Sequence, residues 1–432
     1  MPELVEPRTL LEAMIRQQQL SWDEAAAVVH KAAKKHENIS ISLSGRHLGR
    51  LARNERLGNR PNPATRRALQ YAFGRPVNQL LAPYTPGDVT AAESEHGSET
   101  SEVLTMAADR ARRFMTSLQV MSDESLELIY DDVRDLVGTY PTHPLPEILG
   151  HLVSGQETVF TLLERPQRPA HARQLYFLSA VLGGLLAKAS HDLADPHAAL
   201  AQSRTAWLCA EQADHDGLRA WICGLQSLIS YWARRPHDSI RYAQRGAIYA
   251  QRARSSTTVW LPVSEARAWA ALGNTEQTLD GIERAERAWD QVRPDELDEM
   301  GGIATFSRAR LLYFAADALV WLPDQSSVAE DYAGRAVEAY SDPANPDWAF
   351  GDAAGAGTNL AVARIGRGEV DGAAEALTPV LDLPAEQRIN GIVQSVNRVH
   401  RALSDAPTSA GNRDLQERIE FYTRTPVRAL AR

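Results

Sequence analysis

The sequence predicts an all-α protein in two parts, a small basic helical bundle joined by a flexible linker to a long α-solenoid. Three observations carry that expectation. Apolar residues recur at helical rather than strand spacing, positive charge gathers at one end, and a turn signature returns about every 40 to 50 residues through the second half. A chain of 432 residues with 44% hydrophobic content exceeds what one core usually organises, so more than one domain is expected.

Residues 1–82 hold 13 Lys and Arg against 7 Asp and Glu, a net of +6 in a chain of net −9, so the remaining 350 residues carry −15. Phosphate binding is a local electrostatic effect, which makes the basic part the one expected to meet a polyanion. The opening MPELVEPRTLLEAM is acidic where a signal peptide is basic, and the longest smooth apolar run, Ala180 to Ala187, is too short for a bilayer. A cytoplasmic location without a membrane partner is therefore expected. Cys209 and Cys223 form no CxxC, so they read as two ordinary buried thiols rather than a disulfide or zinc framework.

Taking the elements in order, residues 9–19 put Leu10, Leu11, Met14 and Ile15 on one face of a first helix. Ser21 and Glu24 form a capping-box signature for a second, whose apolar face is Ala25, Ala26, Val28 and Val29. The polar stretch 37–44 breaks the pattern, and Ser44 is placed to cap a third helix running to about Glu55. Leu48, Leu51 and Ala52 face inward there. Arg46, Arg50 and Arg53, flanked by His47 and Asn54, face outward, and such donors read base edges in a major groove. A solvated charged face is the plainer alternative. Pro61 and Pro63 then fix a turn, Thr65 or Asn62 caps a fourth helix, and Leu69, Ala72 and Phe73 give it a core face.

On Glu55, Arg56, Arg60, Pro61, Pro63, Gly74, Arg75, Pro76 and Val77 this module, residues 1–82, resembles the helix-turn-helix domains of repressor-like (XRE) regulators. It departs from them in two places. Leu57 stands where the family has Gly, with Gly58 one position later, and about a dozen residues around Asn38 to Ser42 replace the tight turn before the reading helix. The resemblance implies double-stranded DNA as partner, read by Arg46, His47, Arg50, Arg53 and Asn54, with phosphates met by Ser44, Arg56, Arg60, Arg66 and Arg67.

Residues 83–102 mix Pro, Gly, Ser and acids without apolar period, the composition of a mobile linker spanning on the order of 25 Å. From residue 103 to 432 helical stretches alternate with breaks at 193–200, 232–240, 272–279, 322–329 and 365–373. Each break is followed by a short helix ending near a large residue, namely Trp207, Tyr249, Trp289, Tyr340 and Leu381, which indicates stacked helical hairpins. Residues 102–166 and Gln387 to Arg424 are expected to cap the stack. The pattern resembles tetratricopeptide repeats, best at Leu272, Gly273 and Asn274. Segments 206–233 and 293–303 resemble regulators of filamentous antibiotic-producing bacteria that combine both parts. That wider likeness implies a homodimeric transcription factor of development or secondary metabolism.

Eight of the nine tryptophans lie between Trp207 and Trp348, and repeat solenoids offer concave grooves for a peptide or small-molecule effector. Trp221 and Trp260, with Arg241, Arg245 and Arg252 on one helical face, are the candidates for such a groove. The alternative is that the tryptophans knit hairpins together and the arginines are solvated. Seven histidines between His143 and His237 lack HExxH or i, i+4 spacing, so no metal site is expected. With no P-loop, GxGxxG after a strand or GxSxG, neither enzyme activity nor a cofactor is expected, and GAGTNL at 355–360 reads as close packing. The rival to a DNA-binding regulator is a helical-repeat interaction scaffold with a degenerate N-terminal module.

Overall fold

The computed structural model describes residues 7–37, 41–53, 61–84, 104, 106–112, 114, 122–405 and 410–424. Among them every regular element is helical, and the one extended pairing is an isolated bridge between Thr9 and Pro83. Contacts divide the chain into two units, Met1–Phe114 and Met115–Arg432. Of the expected linker, all but residues 83 and 84 lies outside the described residues.

The first unit contains α1 (Leu10–Gln17), α2 (Trp22–Glu37), α3 (Gly45–Ala52), α4 (Pro63–Phe73) and α5 (Val77–Leu80). Local chemistry sets the helix starts. Thr9 accepts from the Glu12 N–H at the head of α1. Ser21 and Glu24 exchange backbone and side-chain bonds at 2.8 and 3.3 Å, the reciprocal pairing of a capping box. Ser44 accepts from His47 N–H, and Asn62 rather than Thr65 caps α4, with Pro63 at its first position. Gly74 ends α4 at φ 67, a left-handed conformation that Gly adopts at least cost. Leu11, Ile15, Ala25, Val29, Leu48, Leu69 and Leu80 fill the core.

Three details of this unit differ from expectation. Val28 is exposed, because the buried stripe of α2 runs through Ala25, Ala26, Val29 and Ala33 and leaves position 28 off its edge. The stretch before α3 is not simply polar: in its described part, residues 41–44, Ile41 and Leu43 are buried, with the Leu43 carbonyl 2.9 Å from His30 Nε2. Helix α3 stops at Ala52 with Arg53 as its C-cap. Residues 54–60, which include Asn54, Arg56, Leu57, Gly58 and Arg60, lie outside the described residues.

The second unit stacks α6 (Asp123–Thr139), α7 (Leu145–Leu163), α8 (Pro169–Asp192), α9 (Pro196–Gln212), α10 (Asp216–Trp232), α11 (Pro236–Ala253) and α12 (Thr257–Ala271). It continues through α13 (Thr275–Trp289), α14 (Arg308–Leu319), α15 (Ser326–Ala339), α16 (Phe350–Gly366), α17 (Val370–Leu381), α18 (Asn390–Asp405) and α19 (Ala410–Thr423). The five turn signatures all separate paired helices. In four of them a residue with positive φ, Ala194 (62), Arg234 (58), Gly273 (73) or Gly368 (81), follows the helix. The next N–H then reaches back five residues: Asp195 to Ser190, Arg235 to Ser230, Asn274 to Trp269 and Glu369 to Arg364, at 2.8 to 3.0 Å. That is the Schellman closure, so the repeat in sequence is a repeat in backbone hydrogen bonding.

Helices α8, α10, α12, α14 and α16 are buried on most faces, whereas α9, α11, α13, α15 and α17 bury one stripe. The first set forms an inner row and the second an outer row. Inner neighbours meet through glycine: a Cβ on Gly184 would strike the Trp221 ring, and one on Gly224 would lie 2.6 Å from Trp260. The C-terminal cap expected at Gln387 to Arg424 is smaller than foreseen, because α18 belongs to the inner row and sends Arg398 into the interior. The start of α16 also meets the α6–α7 connection, with Phe350 N–H donating to the Pro141 carbonyl at 3.1 Å.

Candidate functional site

The basic face of the first unit is built by α3. Gly45 and Gly49 let this helix lie against α2, where a Cβ on Gly49 would sit 3.3 Å from the Trp22 ring. With Leu48, Leu51 and Ala52 buried, Arg46, His47 and Arg50 stand exposed on the other side. Arg66 and Arg67 are exposed in the first turns of α4, and Ser44 is exposed while its Oγ serves the cap. Arg53, the C-cap of α3, is exposed as well, with its side chain 44% accessible. Its guanidinium lies 5.2 Å from the Trp22 ring and 3.8 Å from Glu12. Glu12, 2% exposed, also holds Arg16 at 2.5 Å and the Arg8 N–H at 3.0 Å. Sequence reasoning missed this organising carboxylate, whose signal was the i, i+4 spacing to Arg16.

The five residues expected to share an effector groove are not brought together. Arg241, Arg245 and Arg252 do share the exposed face of outer helix α11, where Arg241 pairs with Asp238 at 3.0 Å and Arg245 covers the Trp207 ring at 3.7 Å. Trp221 and Trp260 are buried in the inner row, held there by the close approach of Gly184 and Gly224, and Trp260 also lines a cavity in that row.

The inner row carries the polar chemistry of the second unit. Around a cavity of about 100 Å³, Lys188 pairs with Asp192 at 2.6 Å, Tyr140 donates to Asp192 at 2.8 Å, and Arg310 donates to Asp352 at 2.8 Å. His191 lines the same cavity; burial, aided by Lys188 and Arg267, lowers its pKa to about 4, so the imidazole is neutral at neutral pH. Deeper in, Asp317 receives Arg267 Nε and Arg398 Nη1 at 2.6 Å each, and Tyr231 OH at 3.0 Å. Burial works to raise the Asp317 pKa, but the two guanidiniums hold it below the usual carboxylate range. Two buried cations thus share one buried carboxylate, and Arg267 Nη2 has no hydrogen-bond partner among the described residues.

None of Arg267, Asp317 and Arg398 stood out in the sequence. They come from α12, α14 and α18, 50 and 81 positions apart, and the local signal was only a charge inside an apolar helical run. Among the described residues, no group of three His, Cys, Asp or Glu is placed to hold a metal ion, and no helix is long and apolar enough to cross a membrane. The buried Cys209 and Cys223 thiols are raised by burial, to about 11 and about 12.

No family model matches the chain, so neither the repressor-like nor the tetratricopeptide family is assigned to it, and no curated protein matches it. Among solved structures it is similar to a Rap protein crystallised in complex with Competence and Sporulation Factor, at 12% identity over 69% of this chain and 96% of that one, with a TM-score of 0.40.

Proposed function

We propose that the chain is a DNA-binding transcriptional regulator whose first unit reads duplex DNA with α3 and whose helical-repeat unit senses a peptide or small effector and pairs with a second copy. The observation that carries the DNA reading is the division of α3. Its apolar side is locked into the core under the Ser44 cap while Arg46, His47 and Arg50 project outward, with Arg66 and Arg67 exposed on α4. Arg is the commonest bidentate reader of guanine, and basic side chains on the next helix suit phosphates. In a homodimer two such helices would address half-sites about 34 Å apart. An effector switches such a protein only by binding its DNA-competent and incompetent arrangements unequally. The reading assigns no catalytic step to any residue.

The second reading, an interaction scaffold built on the helical repeats, is favoured by Arg53, which is 44% exposed yet already engages Glu12 and the Trp22 ring. Fluorescence anisotropy separates the two. Binding to DNA from the chain's own upstream region should exceed binding to random duplex, and Arg50→Ala should weaken it by about 1–3 kcal/mol. Equal affinity for both duplexes, unmoved by Arg50→Ala at any salt concentration, would select the scaffold.

A further inference from the structure

A second and larger cavity, of about 540 Å³, opens where the C-terminal ends of α10 and α12 and the segment after α14 lie beside α18. Its walls are Tyr231, Trp232 and Trp321, and its cations are Arg234, Arg398 and Arg401. Trp321 Nε1 donates to Tyr231 OH at 2.8 Å, Arg398 Nη2 donates to the same hydroxyl at 3.1 Å, and the Arg398 guanidinium covers the Trp321 ring at 4.7 Å. The aromatic wall and the deepest cation are therefore one hydrogen-bonded assembly. Its volume falls in the range that holds small organic ligands.

Charge is what distinguishes this cavity from the smaller one. There, Lys188 and Arg310 each have their own carboxylate, Asp192 and Asp352. Here, among the described residues, no Asp or Glu lines the wall, and the carboxylate behind it, Asp317, is already divided between Arg398 and the fully buried Arg267. Nearby acids do not restore the balance. Asp405 lies within electrostatic reach of Arg401, and Glu420 faces His400 at 3.6 Å. The bordering helix ends contribute about half a negative charge each, yet their last carbonyls are already used by the turns, as in Arg235 N–H to Ser230 O and Asn274 N–H to Trp269 O. Burial and the nearby Arg234 and Arg398 push Arg401 below its ordinary pKa, whereas Asp317 raises that of the deeper Arg398.

We propose that this cavity binds an organic carboxylate, its anion held by Arg398, Arg401 and Arg234 and its apolar body laid against Trp232 and Trp321. Guanidinium forks match a carboxylate bidentately, and an aromatic-lined cleft suits the attached chain. The inference deepens the effector part of the proposed function and rests on that reading only for its regulatory meaning, since binding is measured without DNA.

The test uses the full chain and two probe pairs, 3-phenylpropionate with its neutral amide, and a tetrapeptide ending in phenylalanine with a free or an amidated C-terminus. Titration calorimetry and tryptophan fluorescence should show each acid binding at least roughly tenfold tighter than its amide. The tighter of the two acids identifies a free acid or a peptide end as the source. Arg401→Gln and Arg234→Gln should each weaken the acid by roughly tenfold, whereas Arg241→Gln on α11 should not. Absence of binding at millimolar acid, equal binding of acid and amide, or an Arg401→Gln variant that melts differently but binds unchanged would overturn the proposal. Loss of the carboxylate site with intact Arg50-dependent DNA binding would leave the DNA reading standing, and the converse would leave the site standing.

Discussion

Arg398 and Asp317 meet at 2.6 Å across 81 residues of chain, and their contact ties α18 to α14 inside the second unit. Because Asp317 is completely buried and also receives Arg267, Asp317→Asn should strand two interior guanidiniums without a counter-charge. Removing one partner of a buried pair costs about 3–5 kcal/mol, so denaturant unfolding should show a loss of that order. A change below about 1 kcal/mol would mean that the arginines find water on their own.

Two glycines in neighbouring helices should respond oppositely to the same substitution. Gly150→Ala in α7 meets nothing within 4 Å among the described residues and should stabilise by up to about 1 kcal/mol through helix propensity. Gly184→Ala in α8 drives a methyl into the Trp221 ring, and overpacking of about 1–3 kcal/mol should outweigh the same propensity gain. Thermal melts of the two variants should therefore move in opposite directions.

His191 makes stability depend on pH. Its folded pKa of about 4 lies below the ordinary 6.5, so the unfolded chain takes up the proton first. Stability is then full above about pH 6.5 and falls as pH drops towards 4, by about 3 kcal/mol from this residue. His191→Gln should flatten that part of the pH profile relative to the unsubstituted chain, whatever it does at pH 7.

In the first unit, Ser44→Ala removes the α3 cap and should cost about 1 kcal/mol of that unit's stability. Arg50→Ala, being exposed, should leave stability within about 0.5 kcal/mol while lowering DNA affinity. A melt in which both variants behave alike would show that Arg50 has a structural duty.

Legibility in the sequence followed the range of the interaction. The Ser21–Glu24 box, the Ser44 cap, the buried side of α3 and the five hairpin turns are set by residues within a few positions of one another, and all could be read directly. The partners of Arg53 were not legible, because Glu12 and Trp22 come from α1 and α2. Trp221 and Trp260 could not be told apart in the sequence, because nothing local reveals that Gly184 and Gly224 sit beneath their rings or that Trp260, unlike Trp221, borders the cavity of about 100 Å³. The Arg267–Asp317–Arg398 cluster was invisible for the same reason, since helical periodicity describes one helix and this cluster needs three.

The bond from Phe350 N–H to the Pro141 carbonyl changes how the repeat stack is expected to come apart. Open arrays of repeats peel from their ends, one unit after another, because each touches only its neighbours. Here an early segment is fastened to one 209 residues later, and Arg398 reaches Tyr231 across 167. These two links join early and late parts of the stack, so it should melt as one cooperative block rather than unzip.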